Sequence, residues 1–233
     1  MMTPEAREKL EQWAERYNDP SFFTEDPIVF PREFAARGAD LRDVEIAAVF
    51  ASHFAWGRRS MIVRNCERLF EHMEWKPLDY VMSGDWRSDA TSIHRTVTWE
   101  ETAGICKRLR EWYRWHGSLE SLSPAEMRTV IFRRKDDPKA PNKKINMMRR
   151  WMVRRDGKVD LGVWRDSSPV GLIVPLDVHV YSQAVGLGLT ARRSKDLATA
   201  LEITDAFREI WPEDPLLGDF ALFGYGVTGG EDA

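Results

Sequence analysis

Pro175-Leu176-Asp177-Val178-His179-Val180 sets a carboxylate immediately before a helical stretch, Val178 to Leu187, that closes on Gly186, Gly188 and Thr190. An Asp at a helix N-cap accepts hydrogen bonds from first-turn amides and lies in the positive end of the dipole, and both effects favour a carboxylate. Pro175 fixes the approach to it, and the apolar Leu172-Ile173-Val174 predicts that this approach is buried. A plain cap accounts for such an Asp. A carboxylate held at the edge of an apolar wall can also steady a developing cation, such as the sugar left when a glycosidic bond breaks.

The same helical punctuation recurs along the chain. Thr3 to Tyr17 opens on Thr-Pro and carries Leu10, Trp13 and Ala14 on one face. Leu41 to Ala55 is apolar on most sides, as expected of a buried central helix. Gly57 interrupts it before Arg59 to Met73, and further helices are predicted at Thr98–Trp115, Ser123–Phe132, Lys143–Arg155, Asp196–Ile210 and Leu216–Tyr225. Ser123 with Glu126 forms a capping box, and Asp214-Pro215 opens the last helix in a similar way. Phe22 to Phe34 reads as Pro-rich and irregular, and Lys158–Trp164 as the only β-like stretch, a hairpin before Asp177. The fold class predicted is all-α, a compact multi-helix arrangement.

The 233 residues, 43% of them hydrophobic and ten of them Trp, suffice for a real core, and no repeat or Gly/Ser linker divides 1–233. Cys66 and Cys106 are too few for a disulfide framework or a zinc site. No apolar run approaches the roughly 18 residues of a membrane span, and Met1-Met2-Thr3-Pro4-Glu5-Ala6-Arg7 lacks a signal-peptide core, so a cytoplasmic location is expected. His53, His72, His94 and His116 have no metal-like spacing, and His179 reads as support for the Asp177 turn. Neither a metal nor a cofactor is expected.

Net charge is −3, yet residues 133–158 carry eleven basic side chains against three acidic ones, a local surplus of +8. Such a field attracts phosphates, although a solvated helix face would look the same. Within this window, Lys143, Met147, Arg150 and Arg154 share one helical stripe, with Lys144 turned about 100° away. A lysine among other cations and partly desolvated is a usable amine nucleophile. A helix-opening Asp and a separate Lys are the minimum for breaking an N-glycosidic bond through a Schiff base.

Lys143-Lys144-Ile145-Asn146 and Leu176-Asp177-Val178-His179-Val180 resemble the paired motifs of the helix-hairpin-helix DNA glycosylase superfamily. Endonuclease III-like members carry Lys-Thr-Ala-Asn on one helix and Val-Asp-Thr-His-Val at the start of a later one. The resemblance implies that Lys143 attacks the sugar C1′ and that Asp177 activates it and steadies the charge; Lys144 falls where the family has Thr. The glycine-bearing hairpin Leu-Pro-Gly-Val-Gly is replaced by Asp137-Pro138-Lys139-Ala140-Pro141-Asn142, so phosphate gripping would rest more on side chains. The 34-residue step from Lys143 to Asp177 is similar to that in archaeal 8-oxoguanine DNA glycosylases. No four clustered cysteines follow Asp177, so no iron–sulfur cluster is implied. Over nearly its whole length the chain also resembles a bacterial family of unknown function, through Lys143 to Arg154, Val159 to Trp164 and Asp219 to Gly224.

What the superfamily likeness implies is a two-lobed helical glycosylase-like fold spanning 1–233, with Lys143 and Asp177 facing each other across a central cleft. The expected activity is a DNA glycosylase with AP lyase (β-elimination) capability that excises an oxidised purine such as 8-oxoguanine. The expected partner is double-stranded DNA with a damaged base, bound by a monomer away from any membrane. A flipped base needs an aromatic wall and polar groups. Trp56, Trp151, Asp219 and Phe223 are the candidates, and Lys144, Arg149, Arg150, Arg154 and Arg155 would meet phosphates. Two rivals stand beside this reading. One is a non-catalytic binder of damaged or abasic DNA. The other is a helical interaction protein, in which Lys143 is exposed and lies more than about 12 Å from Asp177, too far for one sugar to bridge.

Overall fold

The computed structural model describes residues 2–229. Among these the chain forms eleven α-helices and one two-stranded antiparallel ribbon, so the fold is all-α. No helix among the described residues is long and apolar enough to cross a membrane. Two compact units are formed. The first combines residues up to Thr24 with those from Asp137 on, and the second is Glu25–Asp136.

In the first unit, α1 (Pro4–Tyr17) starts at Thr3, whose Oγ1 accepts from the Ala6 amide at 3.2 Å, with Pro4 in the first turn, where no donor is needed. Its buried stripe of Ala6, Leu10, Ala14 and Tyr17 packs on α11 (Leu217–Thr228). Gly224 permits this: a Cβ there would come within 2.2 Å of the Tyr17 ring. Trp13 and Tyr225 stack beside it with centroids 3.8 Å apart. Another face of α11 meets α9 (Val178–Gly186), where a Cβ on Gly226 would lie 3.0 Å from that of His179. α8 (Lys143–Val153) and α10 (Leu197–Arg208) complete the unit.

Lys158–Trp164 is not a hairpin. Its backbone instead satisfies the end of α8: the amides of Leu161 and Trp164 donate to the carbonyls of Trp151 and Met152, each at 2.8 Å. Helix ends leave four carbonyls without partners, and this segment supplies donors to them. Asp214 does not open α11 either. That helix has no side-chain cap, and both Asp214 oxygens accept from Arg154 Nε at 2.9 Å.

The second unit holds α2 (Val29–Ala36), α3 (Leu41–Phe54), α4 (Arg59–His72), α5 (Pro77–Ser83), the ribbon β1 (Ser92–His94) and β2 (Val97–Thr98), α6 (Trp99–Tyr113) and α7 (Pro124–Val130). α3 is buried on nearly every side, including Glu45. That carboxylate accepts from Tyr113 Oη at 2.8 Å and from the Leu119 amide at 3.0 Å, the pairing a buried charge requires. Thr98 caps α6, and Ser123 with Glu126 makes both bonds of the capping box on α7. α2 falls in the stretch expected to be irregular. Its Pro31 sits in the first turn, where a missing amide costs nothing.

Candidate functional site

Asp177 is the N-cap of α9, and its two oxygens do different things. Oδ1 accepts from the Val180 amide at 2.8 Å, while Oδ2 lies 3.6 Å from Lys143 Nζ. The capping bond fixes the carboxylate plane, and that plane aims the second oxygen at the lysine. Asp177 is nearly buried, its side chain 9% exposed; Lys143 keeps 35% and so retains access from solvent. The approach is rigid. Leu172, Val174 and Leu176 are buried, and the Val174 amide donates to Thr204 Oγ1 on α10 at 3.0 Å.

Lys143 is the first residue of α8, and the turn before it is set by two asparagines. Asn142 takes the left-handed conformation at φ 45°, a region Asn enters more readily than most side chains. Asn146, buried one turn into the helix, donates from Nδ2 to the Pro141 carbonyl at 2.8 Å. The Asn of the Lys-Lys-Ile-Asn motif thus holds the loop that presents Lys143. Both members of the pair belong to the first unit, so it is not assembled from two lobes facing each other. A solvent lysine remote from a plain cap would look different.

Arg150 and Arg154 require a correction. They are 5% and 1% exposed, and both guanidinium groups lie over the Phe220 ring, at 4.3 and 4.7 Å. Arg150 donates to Asp219 at 2.6 Å and to Asp160 at 3.3 Å; Arg154 pairs with Asp156 at 2.8 Å, Asp160 at 3.2 Å and Asp214 at 2.9 Å. Enclosed by carboxylates, these two cations bolt α8 to α11 and cannot grip phosphate. Trp151, 1% exposed, is core and not the wall of a pocket. Arg155 donates to the carbonyls of Trp164 and Ser167, and Arg149 lies 5.5 Å over the Trp164 ring. Lys144 is half-buried on the first turn of α8.

Asp219 is buried too, so it meets Arg150 and not a ligand edge. Burial pushes its carboxyl up to about 6, against the pull of Arg150, and the negative charge of Asp177 adds to the rise. Phe223, one turn later on α11, is half-buried with its ring edge-on to His179, centroids 6.4 Å apart. His179 Nδ1 donates to the Gly226 carbonyl at 3.0 Å, tying the first turn of α9 to α11. Trp56 belongs to the second unit, with Arg95 4.3 Å over its ring and its carbonyl accepting from His94 Nε2 at 3.1 Å. Among the described residues no group of three or more His, Cys, Asp and Glu is placed to hold a metal ion.

The family described as Protein of unknown function (DUF2400) matches residues 26–137 and 123–228. The chain belongs to that family. Its two matched segments take in Lys143, Asp177, Asp219 and Phe223 alike, so the paired site lies inside the DUF2400 region. No curated protein and no solved structure matches the chain.

Exposed basic residues also lie outside residues 133–158. Arg193 and Lys195, between α9 and α10, are exposed, and the sequence analysis did not single them out because Arg133–Lys158 held the larger surplus.

Proposed function

We propose that this protein is a DNA N-glycosylase with AP lyase activity, acting on an oxidised purine of the 8-oxoguanine type through Lys143 and Asp177. With this reading go a glycosylase-like two-lobed helical fold, double-stranded DNA as substrate, action as a monomer and a cytoplasmic location. The observation that carries it is the pair itself: an amine 3.6 Å from a carboxylate oxygen whose partner oxygen is fixed by a helix amide.

Asp177 Oδ2 takes a proton from Lys143 Nζ, and the freed lone pair forms a bond to C1′. The electrons of the C1′–base bond leave with the base, which takes up the proton that Asp177 received and so restores its carboxylate. The Asp177 carboxylate offsets the positive charge that develops on the sugar. One of the two protons left on that nitrogen passes to O4′ as the C1′–O4′ bond breaks, which opens the sugar ring and gives a protonated imine between Lys143 and C1′. Removal of a C2′ proton then expels the 3′ phosphate and cuts the strand.

The test is a single-turnover assay on a duplex with one 8-oxoguanine, base release and strand nicking measured separately. Wild-type protein should give both. Lys143→Gln should remove both, and Asp177→Asn should slow both by about 10²- to 10⁴-fold, the usual weight of a positioned acid–base group. Absence of base release from every oxidised-purine duplex would refute the assignment.

A further inference from the structure

Phosphate contacts by Arg150 and Arg154 are ruled out by their burial. The first unit nevertheless offers exposed cations off that helix, among them Lys139, Arg193 and Lys195. They come from two loops 50 residues apart in sequence, and one hydrogen bond brings those loops together: the Leu197 amide donates to the Lys139 carbonyl at 2.9 Å. One loop leads directly into Lys143, the other leaves α9, which begins at Asp177.

The second loop is built, not slack. Tyr181, one turn after Asp177, donates from Oη to the Arg192 carbonyl at 2.8 Å, and Lys195 Nζ lies 5.5 Å over the Tyr181 ring. Thr199 Oγ1 donates to the Ser194 carbonyl at 2.6 Å, and Arg192 Nε donates to Thr199 Oγ1 at 2.9 Å. The acid within this loop is engaged: Asp196 caps α10 through the Thr199 amide at 3.0 Å and pairs with Arg192 at 3.1 Å. In the first loop, Asp137 Oδ1 accepts from the Lys139 amide at 3.0 Å. The arrangement neutralises Arg192 and leaves Arg193, Lys195 and Lys139 standing out from a fixed backbone.

We infer that Lys139, Arg193 and Lys195 form a phosphate-binding surface for the backbone of duplex DNA, running from the Lys143–Asp177 pair along the loop between α9 and α10. The inference rests on the proposed activity only for its choice of partner. A preset loop loses little conformational freedom on binding, and several like charges held together favour a polyanion over a single acidic side chain. Such contacts position the duplex without reading its sequence.

The experiment measures fluorescence anisotropy of two labelled duplexes, one undamaged and one with an abasic site, binding the full chain between 50 and 200 mM salt. The variant Lys139→Gln/Arg193→Gln/Lys195→Gln is compared with Arg7→Gln/Lys9→Gln/Arg16→Gln, which removes three cations from α1 of the same unit. Each lost phosphate contact should flatten the plot of log K against log salt by about 0.9. The first variant should therefore have a slope shallower by about 2 to 3 and affinity at least tenfold lower on both duplexes, and the second should match wild type. Equal slopes for wild type and the first variant, or equal losses in both variants, overturn the surface. Wild type that binds neither duplex overturns surface and glycosylase reading together. Wild type that binds, with the expected slope loss in the first variant, but releases no base leaves the surface standing and removes the enzyme.

Discussion

Asp177 shows how one side chain serves structure and chemistry together: its Oδ1 caps α9 and its Oδ2 meets Lys143. Asp219 sits behind it as a second, buried carboxyl, and its behaviour gives a prediction at the same scale. Burial raises it to about 6 in the folded protein, above the ordinary value of 3.8. The folded state therefore holds that proton more tightly than the unfolded chain. The corresponding stability is complete below pH 3.8 and disappears as pH rises through 6. A carboxyl-carbon NMR titration should show Asp219 turning over near 6. In denaturant melts, Asp219→Asn should gain on wild type between pH 4 and 6.5; a flat or falling difference contradicts the burial argument. Asn142 gives a separate prediction. Its left-handed backbone should accept Asn142→Gly with little loss, whereas Asn142→Val should lose about 1–2 kcal/mol in the same melts.

At the level of elements, at least five of the eleven α-helices among the described residues begin where a local start signal stands in the sequence, because capping is local. Thr3, Thr98, Ser123, Asp177 and Asp196 each accept from a first-turn amide. What was not legible depends on distant partners. Asp214 looked like a cap and instead holds Arg154, 60 residues away. Arg150 and Arg154 looked like a solvated stripe because nothing near them in sequence marks Asp160, Asp214 and Asp219 as their enclosure. Lys158–Trp164 alternated like a strand but serves as a donor strip for α8. The contact between α1 and α11 gives the clearest mutational prediction. Gly224→Ala must push a Cβ into Tyr17, an overpacking that costs about 1–3 kcal/mol, and Tyr17→Ala should recover part of that loss in a double-mutant cycle.

For the molecule as a whole, the helical class followed from periodicity, whereas the division into two units did not, because the first unit joins residues up to Thr24 with those from Asp137 on. Nothing in composition marks that return of the chain. It brings α1 against α11, and α11 in turn carries α9 and hence Asp177. The candidate pair was legible as two motifs 34 residues apart; that a lysine nitrogen and a carboxylate oxygen would lie 3.6 Å apart was not. Membership of DUF2400 assigns no chemistry to them, so the central claim turns on whether Lys143 forms a bond to a sugar. Borohydride reduction of the protein mixed with an abasic-site duplex, followed by peptide mass mapping, tests this directly. The account predicts a covalent protein–DNA adduct located on Lys143 and lost in Lys143→Gln. No adduct with wild-type protein, or an adduct on any other lysine, would contradict it.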